Sequence, residues 1–352
     1  MKVLVLNLIP NTVGDTLMFI PVIDNIRAAM PSAEIHVTAA PLSQQLLATV
    51  PSIDHHIVFR ELVTIGSSAP VWKKAAAYAA LFAKAVRLCR RERYDSCFVL
   101  LPNFAPSHLI PWFGGVRRRY GYSYKGAFFS FLLTKATPFR GPFATGEHDR
   151  HTVDSYLDVL RVAGIPTPID TVSRPVSAEE LEGARKVLGR RRDMIVFQTG
   201  TKSESRRWPA EHFIELGKRL VKDGRAVVLL GGPKDVEMNR TIARGIGAGC
   251  IDATEPLMSI GLSAGALKLA RLAVGNDSGL MHLASSVGTR TVVIYGSSNP
   301  AHSRPRGTGR SFPVYTGDKE PTKMYGEIGE RGVEMMRQVP VDKVRATIME
   351  AT

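Results

Sequence analysis

The chain has few cysteines and no long uninterrupted apolar run. Its three cysteines, Cys89, Cys97 and Cys250, show no metal-ligand spacing, which indicates a reducing compartment and no disulfide framework. No apolar stretch reaches the roughly 18 residues of a membrane-spanning helix. The apolar residues 3–6 are soon followed by Pro10, which is typical of a first strand and not of a signal peptide.

Acidic residues are also in deficit. The chain has 32 acidic and 46 basic residues, a net charge of +14, which favours anionic partners such as nucleic acid, phosphorylated substrates or an anionic membrane. Most of the excess lies between Ile57 and Arg140, where 14 basic residues face three acidic ones. A nucleic-acid-binding protein is one hypothesis from this charge, but interleaved basic and aromatic strand motifs are absent, so we expect no nucleic-acid partner.

Apolar runs alternate with helix-like periodic segments along the whole chain. Continuous apolar runs bounded by turns are typical of strands buried on both faces of a parallel sheet. The alternation predicts an α/β fold with right-handed crossovers. The predicted strands are residues 2–8, 34–38, 96–101, 194–198, 226–230 and 291–295, and the main predicted helices are 16–30, 72–93, 151–163, 178–189 and 211–223.

The pattern restarts after a segment with Gly164, Pro166 and Pro168, which ends one helix and begins a linker. We therefore predict two Rossmann-like domains, residues 1–168 and 169–340, with parallel sheets facing a central cleft that holds the active site. A final helix is predicted over residues 341–352.

The segment from Gly275 to Ala284 carries the clearest chemical signal. An apolar strand precedes it, and its polar residues stand where a helix is predicted to begin: Asp277, Ser278 and Gly279, with His282 one turn further on. The unpaired N–H groups and partial positive charge of a helix start suit a phosphate group. The alternative is that Asp277 or Ser278 only caps the helix.

A second loop follows the first predicted strand and contains Gly14 and Asp15. Gly14 permits a backbone turn that other residues resist, and Asp15 then stands at the start of a helix. The carboxylate of Asp15 could act as a general base or only as a helix cap. The loop is not Gly-x-Gly-x-x-Gly, so a dinucleotide fingerprint is absent there.

Two further loops follow predicted strands of the second domain. Thr199, Thr201 and Arg206 supply hydroxyl and guanidinium groups suited to a diphosphate, although a solvent-exposed basic loop explains them as well. After a Gly-Gly-Pro turn, Asp235 and Glu237 could bind ribose hydroxyls or could complement a helix dipole.

The basic segment presents Lys73, Lys84, Arg87 and Arg91 on one face of a predicted helix. The arginines 117–119 follow, and then an apolar aromatic stretch, residues 125–135, with a lysine at each end. Such a surface suits an anionic amphiphile or a membrane interface. The alternative for residues 128–133 is a buried helix.

Together these motifs resemble glycosyltransferase family 9, the heptosyltransferases of bacterial lipopolysaccharide assembly. The resemblance covers nearly the whole chain, and the order and spacing of the motifs are more specific than any one of them. The matching positions are Gly14-Asp15, Gly121-Tyr122, His151, Tyr156-Leu157, Arg206-Arg207-Trp208-Pro209, the Gly231-Gly232-Pro233 turn, Asp277-Ser278-Gly279 and His282.

The resemblance implies a GT-B fold and inverting, metal-independent transfer of a heptose from ADP-L-glycero-D-manno-heptose to the lipopolysaccharide inner core, without a cofactor. No Asp-x-Asp metal motif is present, in agreement. It implies Asp15 as the base and Arg206 as the partner of the leaving diphosphate. The implied donor-binding residues are Thr199, Thr201, Ser278 and Gly279 at the diphosphate, with Asp277 and His282 beside them. Asp235 and Glu237 are further donor-binding candidates, and Gly14, Arg117, Arg118 and Arg119 are the acceptor-binding candidates of the basic first domain.

The resemblance further implies a monomer in the cytoplasm, in peripheral contact with the inner membrane, and a last helix that packs back on the first domain. Two departures bear on the sugar and the acceptor: Arg206 stands where the family often has lysine, and the usual cysteine is missing around residues 333–336. The alternative activity is a transferase or epimerase of the same fold that uses another nucleotide-diphosphate sugar.

Overall fold

A computed structural model describes residues 1–10, 12–100, 106–123, 129–139, 150–191, 193–296, 298–317 and 329–352. The chain divides into two compact units, Met1–Asp170 and Thr171–Thr352. In the described residues each unit contains one parallel sheet of six strands with helices between them. The predicted α/β class with two parallel sheets is confirmed.

The first unit begins directly with its central strand. Its strands are β1 (Lys2–Leu6), β2 (Glu34–Ala39), β3 (His55–Val58), β4 (Ser96–Val99), β5 (Arg118–Ser123) and β6 (Lys135–Pro138). Its helices are α1 (Val13–Met18), α2 (Ile20–Ala29), α3 (Pro41–Leu47), α4 (Glu61–Ile65), α5 (Val71–Glu92), α6 (Pro106–Phe113) and α7 (Thr152–Val162).

The second unit repeats this alternation. Its strands are β7 (Met194–Gln198), β8 (Ala226–Leu230), β9 (Cys250–Asp252), β10 (Leu272–Asn276), β11 (Arg290–Tyr295) and β12 (Ser311–Tyr315). Its helices are α8 (Ala178–Leu188), α9 (Ala210–Lys222), α10 (Val236–Ile246), α11 (Ile260–Leu269), α12 (Gly279–Ser286), α13 (Pro300–Ser303), α14 (Glu330–Arg337) and α15 (Val341–Ala351).

Both sheets have the same strand order. The first runs β3-β2-β1-β4-β5-β6, and the second runs β12-β11-β10-β7-β8-β9. Each sheet therefore grows outward in one direction for three strands and in the other direction for the next three, which is the Rossmann order. The order reverses between β1 and β4 and between β7 and β10, and ligands of such sheets bind outside the carboxyl ends of the strands at that point.

The central strands are buried on both faces, as their continuous apolar sequences require. Every residue of β4, β7 and β10 is buried. Helices cover both faces of such a sheet, so an alternating apolar and polar pattern is not needed. The strands consequently lie fixed in the core, and the loops at their ends carry the polar chemistry.

The last helix belongs to the second unit. Val341, Val344 and Ile348 of α15 are buried in its core, and α15 contacts β11, β12 and α9. The predicted packing of this helix on the first domain is wrong. The physical reason is that the apolar residues recur at helical spacing on one face, and the core of the second unit covers that face.

The apolar stretch, expected either as a buried helix or as an exposed patch, is described only from residue 129 onward, and there it forms no α-helix. Residues 124–128 lie outside the described residues, Ser130–Leu132 form a single 3₁₀ turn, and β6 follows. Phe131 is 76% exposed, whereas Leu133 is buried in the core of the first unit.

None of the described helices combines the length and hydropathy needed to span a bilayer.

Candidate active site

The loops after β7 and β10 meet at the reversal point of the second sheet. The strands of a parallel sheet all end at one edge, which we call the carboxyl edge, and all begin at the opposite edge, which we call the amino edge. Gly275 of β10 pairs with Gln198 of β7, and a Cβ atom on Gly275 would lie 2.2 Å from the Gln198 carbonyl oxygen. Only glycine permits this approach, which brings the residues that follow both strands together.

Asn276 joins the two loops. Its side chain is fully buried, its Nδ2 donates to the carbonyl oxygen of Thr199 at 2.6 Å, and its Oδ1 accepts from the backbone N–H of Trp208 at 2.9 Å. One amide thus satisfies both a backbone acceptor and a backbone donor. Asn276 directly precedes the Asp277-Ser278-Gly279 motif, but nothing in the sequence pattern indicates this role for it.

Trp208 anchors the far end of the loop that carries Arg206. Its ring is fully buried against Phe213, and its Nε1 donates to the Val339 carbonyl oxygen at 3.0 Å. A buried indole whose N–H is satisfied fixes its backbone firmly. Arg206, two residues earlier, is therefore held at the carboxyl edge.

Arg206 and Asp277 face each other across the two loops. Nη1 of Arg206 lies 3.5 Å from Oδ2 of Asp277, and the hydroxyl of Ser298 donates to the same oxygen at 3.4 Å. Asp277 is 7% exposed and Arg206 is 27% exposed at the side chain. Among the described residues this is the one ion pair of Arg206, so most of its five N–H donors are available to an anion.

Helix α12 begins at this point. Ser278 is its N-cap residue, but its hydroxyl donates to Gln198 Oε1 at 2.8 Å and makes no capping hydrogen bond. The N–H groups of the first turn, from Gly279 onward, therefore receive no side-chain cap, which leaves them suited to a phosphate. His282 lies buried one turn into the helix. Of the two interpretations left open for this motif, side-chain capping is wrong.

The structure separates the two threonines predicted to contact a diphosphate. Thr199 is fully buried and its hydroxyl donates to Asn239 Oδ1, so its side chain supports the fold of the loop and the donor-binding prediction for it is wrong. Thr201 lies on the partly exposed loop, where its Oγ1 accepts from the Ser203 N–H at 3.5 Å. That long contact leaves the Thr201 hydroxyl available.

The two carboxylates after β8 also differ. The Asp235 carboxylate accepts from the Gly232 N–H at 2.8 Å and lies against Gly200, where a Cβ atom would be 2.1 Å from its Oδ1. Asp235 therefore joins the loops after β7 and β8. The side chain of Glu237 is 84% exposed and pairs with Arg240 one turn along α10, so the structure does not bring it to the other predicted donor residues.

In the first unit the reversal point lies beside the loop after β1. Gly14 and Asp15 stand in the first turn of α1, and Asp15 is half-buried. No other described residue forms a hydrogen bond or ion pair with the Asp15 carboxylate, and no side chain caps the helix. An unpaired carboxylate at the carboxyl edge is placed to accept a proton. Asn11 of this loop lies outside the described residues.

The three arginines predicted to bind the acceptor lie at the other edge of the same sheet. Arg118 pairs with Ser96, and Ser96 pairs with Val3, so these residues stand at the amino edge, whereas Asp15 follows the carboxyl end of β1. The prediction for Arg117, Arg118 and Arg119 is therefore corrected. Parallel strands all begin at one edge, so residues that start a strand cannot meet residues that follow one.

Arg119 has a local structural role. Its Nε donates to the Leu132 carbonyl oxygen at 2.7 Å, and its Nη1 donates to that of Val116 at 2.5 Å. The guanidinium thus joins the turn before β6 to the residues before β5.

The two sheets, their common strand order and the phosphate-suited helix start are those of the GT-B fold class. The solved structure of Escherichia coli ADP-heptose lipopolysaccharide heptosyltransferase II shares this fold with a TM-score of 0.76. The two chains are 24% identical, and the match covers 100% of this chain and 98% of that one. A family 9 glycosyltransferase from Veillonella parvula has a TM-score of 0.75.

The chain belongs to glycosyltransferase family 9, the heptosyltransferases, whose family model matches residues 82–318. It is 30% identical to lipopolysaccharide heptosyltransferase 2 of Salmonella typhimurium over 318 residues, which cover 87% of this chain and 85% of that relative. It is 28% identical to lipopolysaccharide heptosyltransferase 2 of Escherichia coli over 325 residues, with the same two coverages. The resemblance stated from the sequence motifs is confirmed.

Proposed function

We propose that the protein transfers a heptose from ADP-L-glycero-D-manno-heptose to the lipid-linked inner core of lipopolysaccharide, with inversion and without a metal ion. The names of the curated relatives support the sugar and the acceptor. A solved heptosyltransferase of Escherichia coli, which shares the fold with a TM-score of 0.74, is a complex with ADP.

The donor site is the single observation that carries this proposal. Arg206, held 3.5 Å from Asp277, and the uncapped first turn of α12 occupy the reversal point of the second sheet. A guanidinium and aligned N–H groups together suit a diphosphate. Asp277 orients Arg206, Ser278 and Gln198 fix the start of the helix, and Gly279 admits the phosphate close to the backbone.

The reaction is a single displacement. The acceptor hydroxyl gives its proton to Asp15 as its oxygen bonds to the anomeric carbon, and the bond from that carbon to the diphosphate oxygen breaks. One displacement from the opposite side inverts the configuration. ADP leaves with the electron pair, and Arg206 and the α12 N–H groups stabilise the developing charge, which is the task a metal ion performs elsewhere.

Asp15→Asn tests the base. The amide cannot accept the proton, so we expect the turnover number to fall by roughly 10²–10⁴-fold. Calorimetric titration with ADP serves as the control, because an intact second unit should bind ADP as before. A turnover number within a few-fold of the wild-type value would contradict the role of Asp15 as the base.

Arg206→Ala tests the diphosphate partner. Losing a charge-assisted hydrogen bond costs about 1.5–3 kcal/mol, so ADP should bind roughly 10- to 100-fold more weakly. Arg271→Ala is a matched control, since Arg271 precedes the same strand β10 at the amino edge and is 41% exposed. Equal ADP affinities for the two variants would contradict the assignment.

A panel of ADP-, UDP- and GDP-linked sugars tests the donor. A ligand that binds only the folded state raises the melting temperature, and at equal concentration a tighter ligand raises it more; we expect the largest rise with the ADP-sugar. Transfer that persists in EDTA supports metal independence. A larger rise with a UDP-sugar, or product formed from donor alone, would favour the epimerase alternative.

A lipid-linked acceptor requires access to a bilayer, and the first unit offers a suitable surface. We call it the α5 start: Val71, Trp72 and Lys73. Val71 is 83% exposed and Trp72 is 68% exposed, and Lys73 lies 5.3 Å from the Trp72 ring centroid. An exposed tryptophan among lysines is typical of a membrane interface.

The α5 start lies at the same edge as Asp15. It follows β3 through α4, and at the end of α4 a Cβ atom on Gly66 would lie 2.5 Å from Pro10 Cβ, so Gly66 packs on the segment leading to Asp15. We propose that this surface rests on the cytoplasmic face of the inner membrane, where the acceptor sugars can reach Asp15. One monomer would suffice for the reaction.

Sedimentation with phosphatidylglycerol vesicles tests this contact. Trp72→Ser should lose most of the vesicle-bound fraction, whereas Trp112→Ser should keep it, because Trp112, 45% exposed, lies near the end of α6 toward the amino edge. Binding should also weaken in high salt and with uncharged phosphatidylcholine, because the lysines contribute by charge. Equal loss in both tryptophan variants would contradict the assignment.

A further inference from the structure

The amino edge of the first sheet brings two histidines and a glutamate together. Glu34 and His36 are two residues apart on β2 and therefore point to the same face. His55 of β3 stands directly opposite His36 in the parallel register. Strand periodicity and strand pairing thus place three metal-ligating side chains side by side.

The three ligand atoms are close enough to share one ion. Glu34 Oε1 lies 2.8 Å from His36 Nε2 and 3.4 Å from His55 Nε2, and all three atoms lie within 4.8 Å of one another. Around a tetrahedral zinc ion with bonds of about 2.0–2.1 Å, ligand atoms are about 3.3 Å apart. Small rotations of the exposed side chains of Glu34 and His55 would give that spacing.

His36 is already held in position for such a role. The residue is 5% exposed, and its Nδ1 forms a hydrogen bond of 2.8 Å with the hydroxyl of the buried Tyr94. A ligating histidine typically has its second ring nitrogen bound in this way, which fixes the orientation of the ring. The arrangement directs Nε2 of His36 toward Glu34.

We propose that Glu34, His36 and His55 bind a divalent transition-metal ion, with zinc as the best fit. Two imidazoles and one carboxylate suit Zn²⁺ better than Mg²⁺ or Ca²⁺, which prefer oxygen ligands. Lys2 Nζ lies 3.6 Å from Glu34 Oε1 but has a closer partner in Glu92 at 3.0 Å. The ammonium can therefore remain paired when an ion takes Glu34.

The ion would act on stability and not on sugar transfer. β3 is a four-residue edge strand of the first sheet, and an ion shared by Glu34, His36 and His55 would join it to β2. The cluster lies at the amino edge, whereas Asp15 lies at the carboxyl edge. Binding to the folded state alone raises the melting temperature.

Calorimetric titration of the full, tag-free and chelator-treated chain with zinc chloride tests the site. We expect one zinc ion per chain and a higher melting temperature in its presence. His55→Gln, at a side chain 58% exposed, and Glu34→Gln, at one 39% exposed, should each weaken binding roughly tenfold or more without unfolding the chain.

His56→Gln is the matched control, because His56 is the next residue of β3 and points to the opposite face. It should bind zinc as the wild type does. The proposal is overturned if saturable binding is absent, if His55→Gln binds zinc as tightly as the wild type, or if His56→Gln weakens it equally.

Discussion

Single side chains decide the geometry of the candidate site by bonding to the protein itself. Asn276 joins two loops, and Gln198 accepts from the Ser278 hydroxyl and donates to the Gly200 carbonyl oxygen at 2.7 Å. The sequence pattern predicts that hydroxyl and acidic residues of these loops contact the ligand. The structure shows that the Thr199 hydroxyl bonds to the protein instead, because a buried polar group must find a partner there.

Asn276→Ala tests whether the Asn276 side chain holds the two loops together, which we call its bracing role. The change leaves the buried Trp208 N–H and Thr199 carbonyl without their partner, at about 1–3 kcal/mol for each unsatisfied group. We expect a loss of that order in the free energy of unfolding, measured by urea denaturation, together with weaker ADP binding. Gln338→Ala, at an exposed amide of the second unit, should change neither quantity. Unaltered stability in Asn276→Ala would contradict the bracing role.

The three thiols should be unreactive in the folded protein. Burial raises the pKa of Cys89 and that of Cys250 to about 12, and it raises the pKa of Cys97 well above its usual value. At neutral pH the reactive thiolate is therefore scarce. Titration with a thiol reagent should detect no fast-reacting group in the native protein and all three after unfolding. A native thiol that reacts at the unfolded rate would refute this prediction.

At the scale of elements, the pattern of apolar residues predicts the bounds of helices and strands well where that pattern is strong. The helix predicted over 72–93 is Val71–Glu92, and the strands predicted at 194–198 and 226–230 have those bounds. The helix predicted over 16–30 is instead two helices, because Pro21 begins a new one after Phe19. The strand Arg118–Ser123 was missed, since its polar sequence becomes a strand only by pairing with its neighbours.

The packing of α15 on the second unit gives a test at this scale. Ile348→Ala should lower the free energy of unfolding by about 2–5 kcal/mol, because Ile348 is fully buried in that core. Met349→Ala is the matched control, since the neighbouring Met349 is 41% exposed and should cost less than about 0.5 kcal/mol. Urea denaturation followed by circular dichroism measures both. Equally small losses in the free energy of unfolding for both variants would contradict the packing of α15 in this core.

At the scale of the whole molecule, topology sorts the polar residues into two groups. Arg206, Asp277 and Ser278 stand at the carboxyl edge of the second sheet, and Asp15 stands at that of the first. The arginines 117–119 and the cluster of Glu34, His36 and His55 stand at the amino edge of the first sheet. Charge counts along the chain could not separate these groups, because the counts carry no information on strand direction.

This sorting predicts where a bound nucleotide protects the backbone. With ADP, amide hydrogen exchange should slow in residues 199–206 and 277–280, at the reversal point of the second sheet. The amino edge of the same sheet, at residues 288–290 and 309–311, should exchange as before, because none of the proposed nucleotide-binding residues lies there. Arg206→Ala should show less protection at equal ADP concentration. Protection centred on the amino edge would contradict the proposed donor site.

The sequence by itself determined the α/β class and the strands buried at the centre of each sheet, because these depend on residue patterns a few positions long. It also determined the family, because the motifs follow one another in a specific order along nearly the whole chain. It also singled out Asp15, Arg206 and the Asp277-Ser278-Gly279 motif. Only the tertiary structure decided that Thr199 faces inward, that α15 completes the second core and that Arg117–Arg119 lie away from Asp15. Those facts depend on strand order and direction, and on hydrogen-bond partners far apart in the chain, which no short pattern records.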